Sequence, residues 1–249
     1  MRRGLWLAAG VAALAAVVVV VVVLVLVLDP FSGDSDVGNG GESSLQKTLR
    51  QMVLQPEDVP EGFASGDDAF ITNDGAAADS TDPEARKALL ESWGRLLGYE
   101  AAYQPTSRTP DDVPVQGINV SASLYETEEG AGESFADAVK TAEARDWAAN
   151  YAGLREFQQE RIKASSLADE IVWLRLSGIQ PGTGGPDALV TDDLIFFRIG
   201  TERGFLRVLA SAAETQDRAH LHPSVESWLK TLAEHVRDAL PDAPGENGG

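Results

Sequence analysis

Three arginines stand in the most apolar strands that the sequence predicts. Asp192 to Leu209 reads DDLIFFRIGTERGFLRVL, with Arg198 and Arg207 on either side of a turn bracketed by Gly200 and Gly204. Arg175 lies on the neighbouring predicted strand, Glu170 to Ser177. A two- or four-residue loop is expected to set Arg198 opposite Arg207. A three-residue loop would set Arg198 opposite Leu206 and send Arg207 to the other face, because strand side chains alternate. Adjacent arginines repel unless an anion or a carboxylate lies between them. Internal Asp or Glu partners are the bland expectation for a chain with 39 acidic side chains. The sharper one makes Arg175, Arg198 and Arg207 a binding site for an anionic small molecule.

Other constellations point to chemistry less well. A glycosidase needs two carboxylates roughly 5–10 Å apart. The pairs Asp67–Asp68, Asp111–Asp112 and Asp192–Asp193 instead flank strands or loops, where solvated acids are expected. His220-x-His222 with Asp217 nearby resembles half of a metal site, but His235 falls about three helical turns further on, roughly 20 Å away. Ser44-x-x-Lys47 has the spacing of a serine–lysine dyad. Ser227-x-x-Lys230 has it too, neither accompanied by Ser-Asp-Asn or Lys-Thr-Gly. The stretch Gly182-Thr183-Gly184-Gly185 lacks the Gly-Lys-Ser/Thr of a phosphate loop. No catalytic residue, metal or cofactor is assigned. Trp93, Trp147, Trp173 and Trp228 fall on apolar faces and read as core, although a helix–sheet cleft with one at its mouth could hold an apolar ligand.

The elements that must position these residues can be read from periodicity and capping. Ser43 and Gln46 fit a capping box opening a helix at Ser44 to about Leu54. A short strand is expected at Ala69 to Thr72, then a loop. Asp82-Pro83-Glu84 starts a helix with Ala85, Leu89, Trp93 and Leu96 on its buried face and Gly98 just past its end. Strands follow at Tyr99 to Gln104 and Val115 to Tyr125, the second with one partly wet face. A long helix runs from Thr127 to about Asn150, buried through Phe135, Ala138, Val139 and Ala142. Four strands succeed it, near Leu154 to Ile162, Glu170 to Ser177, Asp192 to Ile199 and Phe205 to Ala210. The last helix opens at Pro223 and buries Val225, Trp228, Leu229, Leu232, Val236 and Leu240. Runs of adjacent strands with short links predict an α+β fold, a mostly antiparallel sheet packed with amphipathic helices.

Composition sets the location and excludes partners. Of 249 residues, 39 are acidic and 20 basic, a formal charge of −19. Nucleic acid is therefore not an expected partner, since phosphate binding needs concentrated Lys and Arg. There is no cysteine, which removes disulfides, thiol chemistry and cysteine-ligated metals. Leu5 to Leu28 is apolar throughout, preceded by Arg2 and Arg3 and followed by Asp29. As a helix it exceeds the ~30 Å hydrocarbon core of a bilayer, and the charges place the N-terminus in the cytoplasm. Residues 1–28 thus read as an uncleaved signal anchor seated in the lipid bilayer. Residues 29–41 form a Gly/Asp/Ser linker, 42–240 one exterior domain, and 241–249 a solvated tail.

Two motifs carry a family resemblance. Asp58-Val59-Pro60-Glu61-Gly62-Phe63 follows a short helix, and Phe197-Arg198-x-Gly200 forms a hairpin leading to a final amphipathic helix. Together they resemble PsbP-like exported domains and the extracellular sensor domains of actinobacterial membrane proteins. The resemblance implies ligand or partner binding at a bacterial cell envelope and carries over no catalytic residue. The expected role is a non-enzymatic, membrane-anchored exterior domain binding a small ligand or an envelope protein. The alternative is an envelope hydrolase using a carboxylate or serine that the motifs do not identify.

Overall fold

The computed structural model describes residues 42–106, 114–182, 185–213 and 222–240. The predicted anchor, linker and tail lie outside these residues, as do Asp111–Asp112, Thr183–Gly184, Asp217 and His220. Among the described residues no helix is long and apolar enough to cross a membrane.

The chain runs α1 (Ser44–Gln51), β1 (Phe63–Ile71), α2 (Asn73–Ala77), α3 (Pro83–Ser92), β2 (Arg95–Pro105), β3 (Val115–Tyr125), α4 (Glu128–Ala144), α5 (Trp147–Asn150), β4 (Arg155–Ile162), β5 (Glu170–Gln180), β6 (Ala188–Ile199), β7 (Glu202–Ala213) and α6 (His222–Ala239). The fold is α+β, as the element order predicts. All seven strands form one antiparallel sheet in the order β1-β2-β3-β7-β6-β5-β4. It consists of two meanders, β1 to β3 and β4 to β7, joined where β3 pairs with β7. The outer strand β4 is polar along its length (REFQQERI), which discourages pairing with another chain.

Helices cover both faces. On the first, α1 and α6 bring Leu49, Leu54, Leu229, Leu232 and Val236 against Ile118, Val120, Trp173, Ile195, Phe197 and Leu206. On the second, Phe135 and Ala142 of α4 join Trp147 and Tyr151 over Val172, Leu174, Leu176 and Leu194. Each large side chain buried this way stabilises by about 1.5–3 kcal/mol. The four tryptophans among the described residues are buried, as expected, and the indoles of Trp147, Trp173 and Trp228 donate to Ala142 O, Asp193 Oδ1 and Asp58 O.

Local signals account for most boundaries. Ser43 and Gln46 form the reciprocal capping box, and Asp82 accepts from Ala85 N at 3.1 Å. The helix expected over 127–150 is broken in two. Arg145 is extended, and Asp146 caps a new turn by accepting from Ala149 N. The short α2, expected to be loop, is nucleated by Thr72, whose hydroxyl accepts from Gly75 N.

The expected buried face of α3 is corrected. Leu90 and Trp93 are buried and Arg86 lies over the Trp93 ring, whereas Leu89 and Leu96 are 38% and 45% exposed. The helix ends earlier than expected, at Gly94 with φ +67°, and Gly98 is a strand residue of β2. That shift rotates the stripe away from Leu89, because β2 begins four residues sooner than its apolar alternation suggested.

Candidate functional site

The arginine register follows from the β6–β7 turn. Pairing begins at Ile199–Glu202, so the turn is Gly200-Thr201, with Gly200 at φ +56°. Neither expected register forms, because the turn begins at Gly200 and Arg198 meets neither Arg207 nor Leu206. Arg198 faces Arg203, and Arg207 faces Leu194. Gly204 belongs to β7, where its missing side chain makes room for the Phe197 ring. Arg198 and Arg207 do share the second face, but Arg207 is four residues along β7 from the partner of Arg198, about 13 Å. Arg175 pairs across to Asp193 on the first face. The three predicted site residues are therefore not brought together.

Each has a carboxylate partner. Arg175 makes a bidentate contact with Asp193 at 2.8 and 3.0 Å, sharing it with the Trp173 indole at 2.6 Å. Arg198 donates to Glu170 at 2.5 Å, to Asp169 at 3.5 Å and to Gly200 O at 2.9 Å. Arg207 donates through Nε to both oxygens of Asp192 at 3.0 and 3.1 Å, and through Nη2 at 2.9 Å. The internal solution is thus the one the chain adopts. The acid pair Asp192–Asp193 was expected to be solvated. Both residues are 1% exposed, because β6 starts at Ala188 and the two acids fall inside an apolar strand rather than at its start.

The Arg207–Asp192 pair lies beneath a cleft on the second face. Gln116, Tyr151, Leu154, Gln180, Val190, Arg207, Leu209, Ala210 and Ser211 line it. The sheet supplies the floor through β3, β5, β6 and β7. The wall is Tyr151, the residue closing α5, and Leu154 just after it. Leu154 can sit low because Gly178 of β5 lies under it, and a Cβ there would meet Leu154 Cβ at 2.9 Å. Tyr151 drops its hydroxyl onto Asp192 in a short hydrogen bond. Asn119 of β3 is directly opposite Arg207.

Burial and the Asp192 charge push the Tyr151 phenol well above its ordinary range, so it remains a donor. Burial opposes the charge on Arg207, but Asp192 overrides this and raises its pKa. The site therefore holds a fixed cation, its counter-charge and a neutral hydroxyl, under walls that are mainly apolar. In it Asp192 accepts from both Arg207 and Tyr151. Periodicity flagged Arg207, but Tyr151 falls just past the end of the expected long helix, and Asp192 opens an expected strand where it reads as a solvated acid. The signal that could have found Asp192 is the continuous apolar flank, Leu189-Val190 before it and Leu194-Ile195 after.

The other sequence candidates are structural where described. His235 Nδ1 lies 3.0 Å from Val53 O and its Nε2 3.8 Å from Asp58, tying α6 to the turn after α1. Ser227 is exposed on α6, and Lys230 lies 3.9 Å from Glu234. Asp68 receives Arg50 at 2.7 Å and the Tyr99 hydroxyl.

No protein-family model and no curated protein matches the chain. Among solved structures it is similar to the crystal structure of the extracellular domain of PknH from Mycobacterium tuberculosis. The TM-score is 0.44 and the identity 10%, over 79% of this chain and 100% of that one.

Proposed function

We propose that the chain is a membrane-anchored exterior domain that binds a ligand in the cleft beside α5. The observation that carries this reading is the Tyr151–Asp192–Arg207 network, buried at the base of an otherwise apolar cleft. A buried charged network is costly, and replacing one by apolar residues is often neutral or stabilising. Its retention beneath an open cleft is the pattern of a site that needs oriented polar groups. The ligand chemistry this fits is an apolar body with one group able to bond Arg207 or Tyr151, which includes the anionic small molecule expected from the arginines. An envelope protein could present the same chemistry on a side chain.

The anchor reading rests on Leu5 to Leu28, flanked by Arg2, Arg3 and Asp29. It places the domain outside the cytoplasmic membrane, with the bilayer as partner through residues 5–28. A hydrolase reading finds less support, since Asp192 is held by Arg207 and Tyr151 rather than poised as a base.

Two measurements test the proposal. Protease added outside intact spheroplasts should remove the domain; full protection would refute the orientation. Melting the full-length chain in detergent across envelope metabolites should find a compound that raises the midpoint in wild type and not in Tyr151→Phe. A uniform response of both proteins would count against the cleft.

A further inference from the structure

A second group of arginines lies at the other end of the same face, where the β6–β7 hairpin meets the first turns of α4. Arg95 is 6% exposed. It donates to Ile71 O at 3.1 Å, Asn73 Oδ1 at 3.0 Å and Ser123 Oγ at 3.4 Å, and it stands opposite Tyr125 across the β2–β3 pairing. Ser123 stands directly opposite Arg203 across the β3–β7 pairing. Arg203 in turn donates to Ser134 Oγ of α4 at 3.3 Å, and Ser134 Oγ lies 2.5 Å from the Tyr125 hydroxyl. These five side chains form a ring of two cations and three hydroxyls, with three edges hydrogen-bonded and two given by cross-strand pairing. Ser123, Tyr125 and Ser134 are buried, and the half-buried Arg203 is the arginine of the ring that reaches solvent most.

The ring differs from every arginine site described above. Arg175, Arg198 and Arg207 each have a carboxylate within hydrogen-bonding distance, supplied by the same or the adjacent strand. Among the described residues Arg95 and Arg203 make no ion pair, and the positions that could have held an acid are serines. Of the nearby acids, Glu128, Glu129 and Glu133 of α4 are exposed to solvent, and two others are paired elsewhere. Asp137 pairs with Arg86 at 2.7 Å, and Glu170 with Arg198. Glu202 precedes Arg203 in the chain but points to the opposite face; it is fully buried, and burial pushes its carboxyl well above the usual range. Burial, with Arg203 and Arg86 adding to it, lowers Arg95 to about 10. Hydroxyl donors beside guanidinium groups are the chemistry of oxyanion recognition.

We propose that the ring of Arg95, Ser123, Tyr125, Ser134 and Arg203 is an oxyanion site for a phosphate-type dianion, with Arg203 as the residue that touches it. Two guanidinium charges without a counter-charge match two negative charges better than one. The inference is independent of the cleft, from which Arg203 is separated by about four residues of β7, roughly 13 Å.

The test is titration of the full-length chain in detergent with inorganic phosphate at pH 8, followed by calorimetry and by the melting midpoint. Sodium chloride at matched ionic strength is the control. Acetate and dimethyl phosphate, a monoanion of the lipid-headgroup type, are comparison arms. Phosphate should bind saturably and at least tenfold more tightly than either monoanion. Arg203→Gln should weaken phosphate at least tenfold, with Arg203→Lys intermediate. Ser123→Asp should raise the midpoint without phosphate and abolish the phosphate response, because it supplies the charge from within. Unchanged phosphate binding in Arg203→Gln or Ser123→Asp would overturn the proposal. So would a wild-type response to phosphate no greater than to acetate, a comparison that stands even if a variant fails to fold.

Discussion

Asp192 and Asp193 are consecutive residues of β6 whose carboxylates serve opposite faces of the sheet, Asp192 binding Arg207 and Asp193 binding Arg175. Strand alternation enforces this split, and it rules the pair out as a two-carboxylate catalytic site. Each acid instead neutralises a cation from a neighbouring strand inside an apolar layer.

Removing one partner of the Asp192–Arg207 pair leaves a buried, uncompensated charge. Asp192→Ala should therefore destabilise by about 3–5 kcal/mol. The double variant Asp192→Leu with Arg207→Met should recover most of that loss, since both charges leave together. Chemical denaturation of the three proteins checks this, and simple additivity of the single variants would contradict it.

Glu202 is fully buried, and neither carboxyl oxygen has a hydrogen-bond partner among the described residues. Its folded-state pKa lies well above 4.5, chiefly through burial. The unfolded chain releases this proton as pH rises past about 4.5 while the folded chain keeps it, so the residue costs stability increasingly above that pH. Glu202→Met should stabilise by about 1–3 kcal/mol even at low pH, where only the unmet hydrogen bonds are relieved. Its advantage over wild type should grow as pH rises toward neutrality. Denaturation midpoints at pH 4, 5.5 and 7 would show this; a gain that shrinks with pH would refute it.

Gly204 carries no side chain because the Phe197 ring occupies that space. Gly204→Ala should cost about 1–3 kcal/mol by overpacking. Adding Phe197→Leu should offset part of the cost. A neutral Gly204→Ala, read by thermal melting, would mean that the β6–β7 register is not as described.

The fold was largely legible because its signals are local. Ile118 to Leu124 alternates cleanly, and the stripe from Val225 to Leu240 repeats at helical spacing. The long helix broke at Asp146 because a single capping side chain outweighs continued amphipathicity, and the face of α3 was misjudged because Trp93 satisfies two stripes at once. The site was less legible. A two-residue turn fixes which side chains meet across β6 and β7, and two-, three- and four-residue loops all fit between the bracketing Gly200 and Gly204. Arg95 gave no signal, because its partners come from two distant segments, Ile71 and Asn73 at the β1–α2 junction and Ser123 on β3.

The central claim is that the cleft above Tyr151, Asp192 and Arg207 holds a ligand. Ser211 lines its rim on β7, so Ser211→Trp fills the cleft without removing any member of the network. Native mass spectrometry of the full-length protein, purified from its own membranes, is the most direct measurement. The account predicts a discrete added mass on wild type that is lost from Ser211→Trp, with both proteins melting cooperatively. The same added mass on both proteins would contradict it, as would a wild type that carries none and responds to no envelope metabolite.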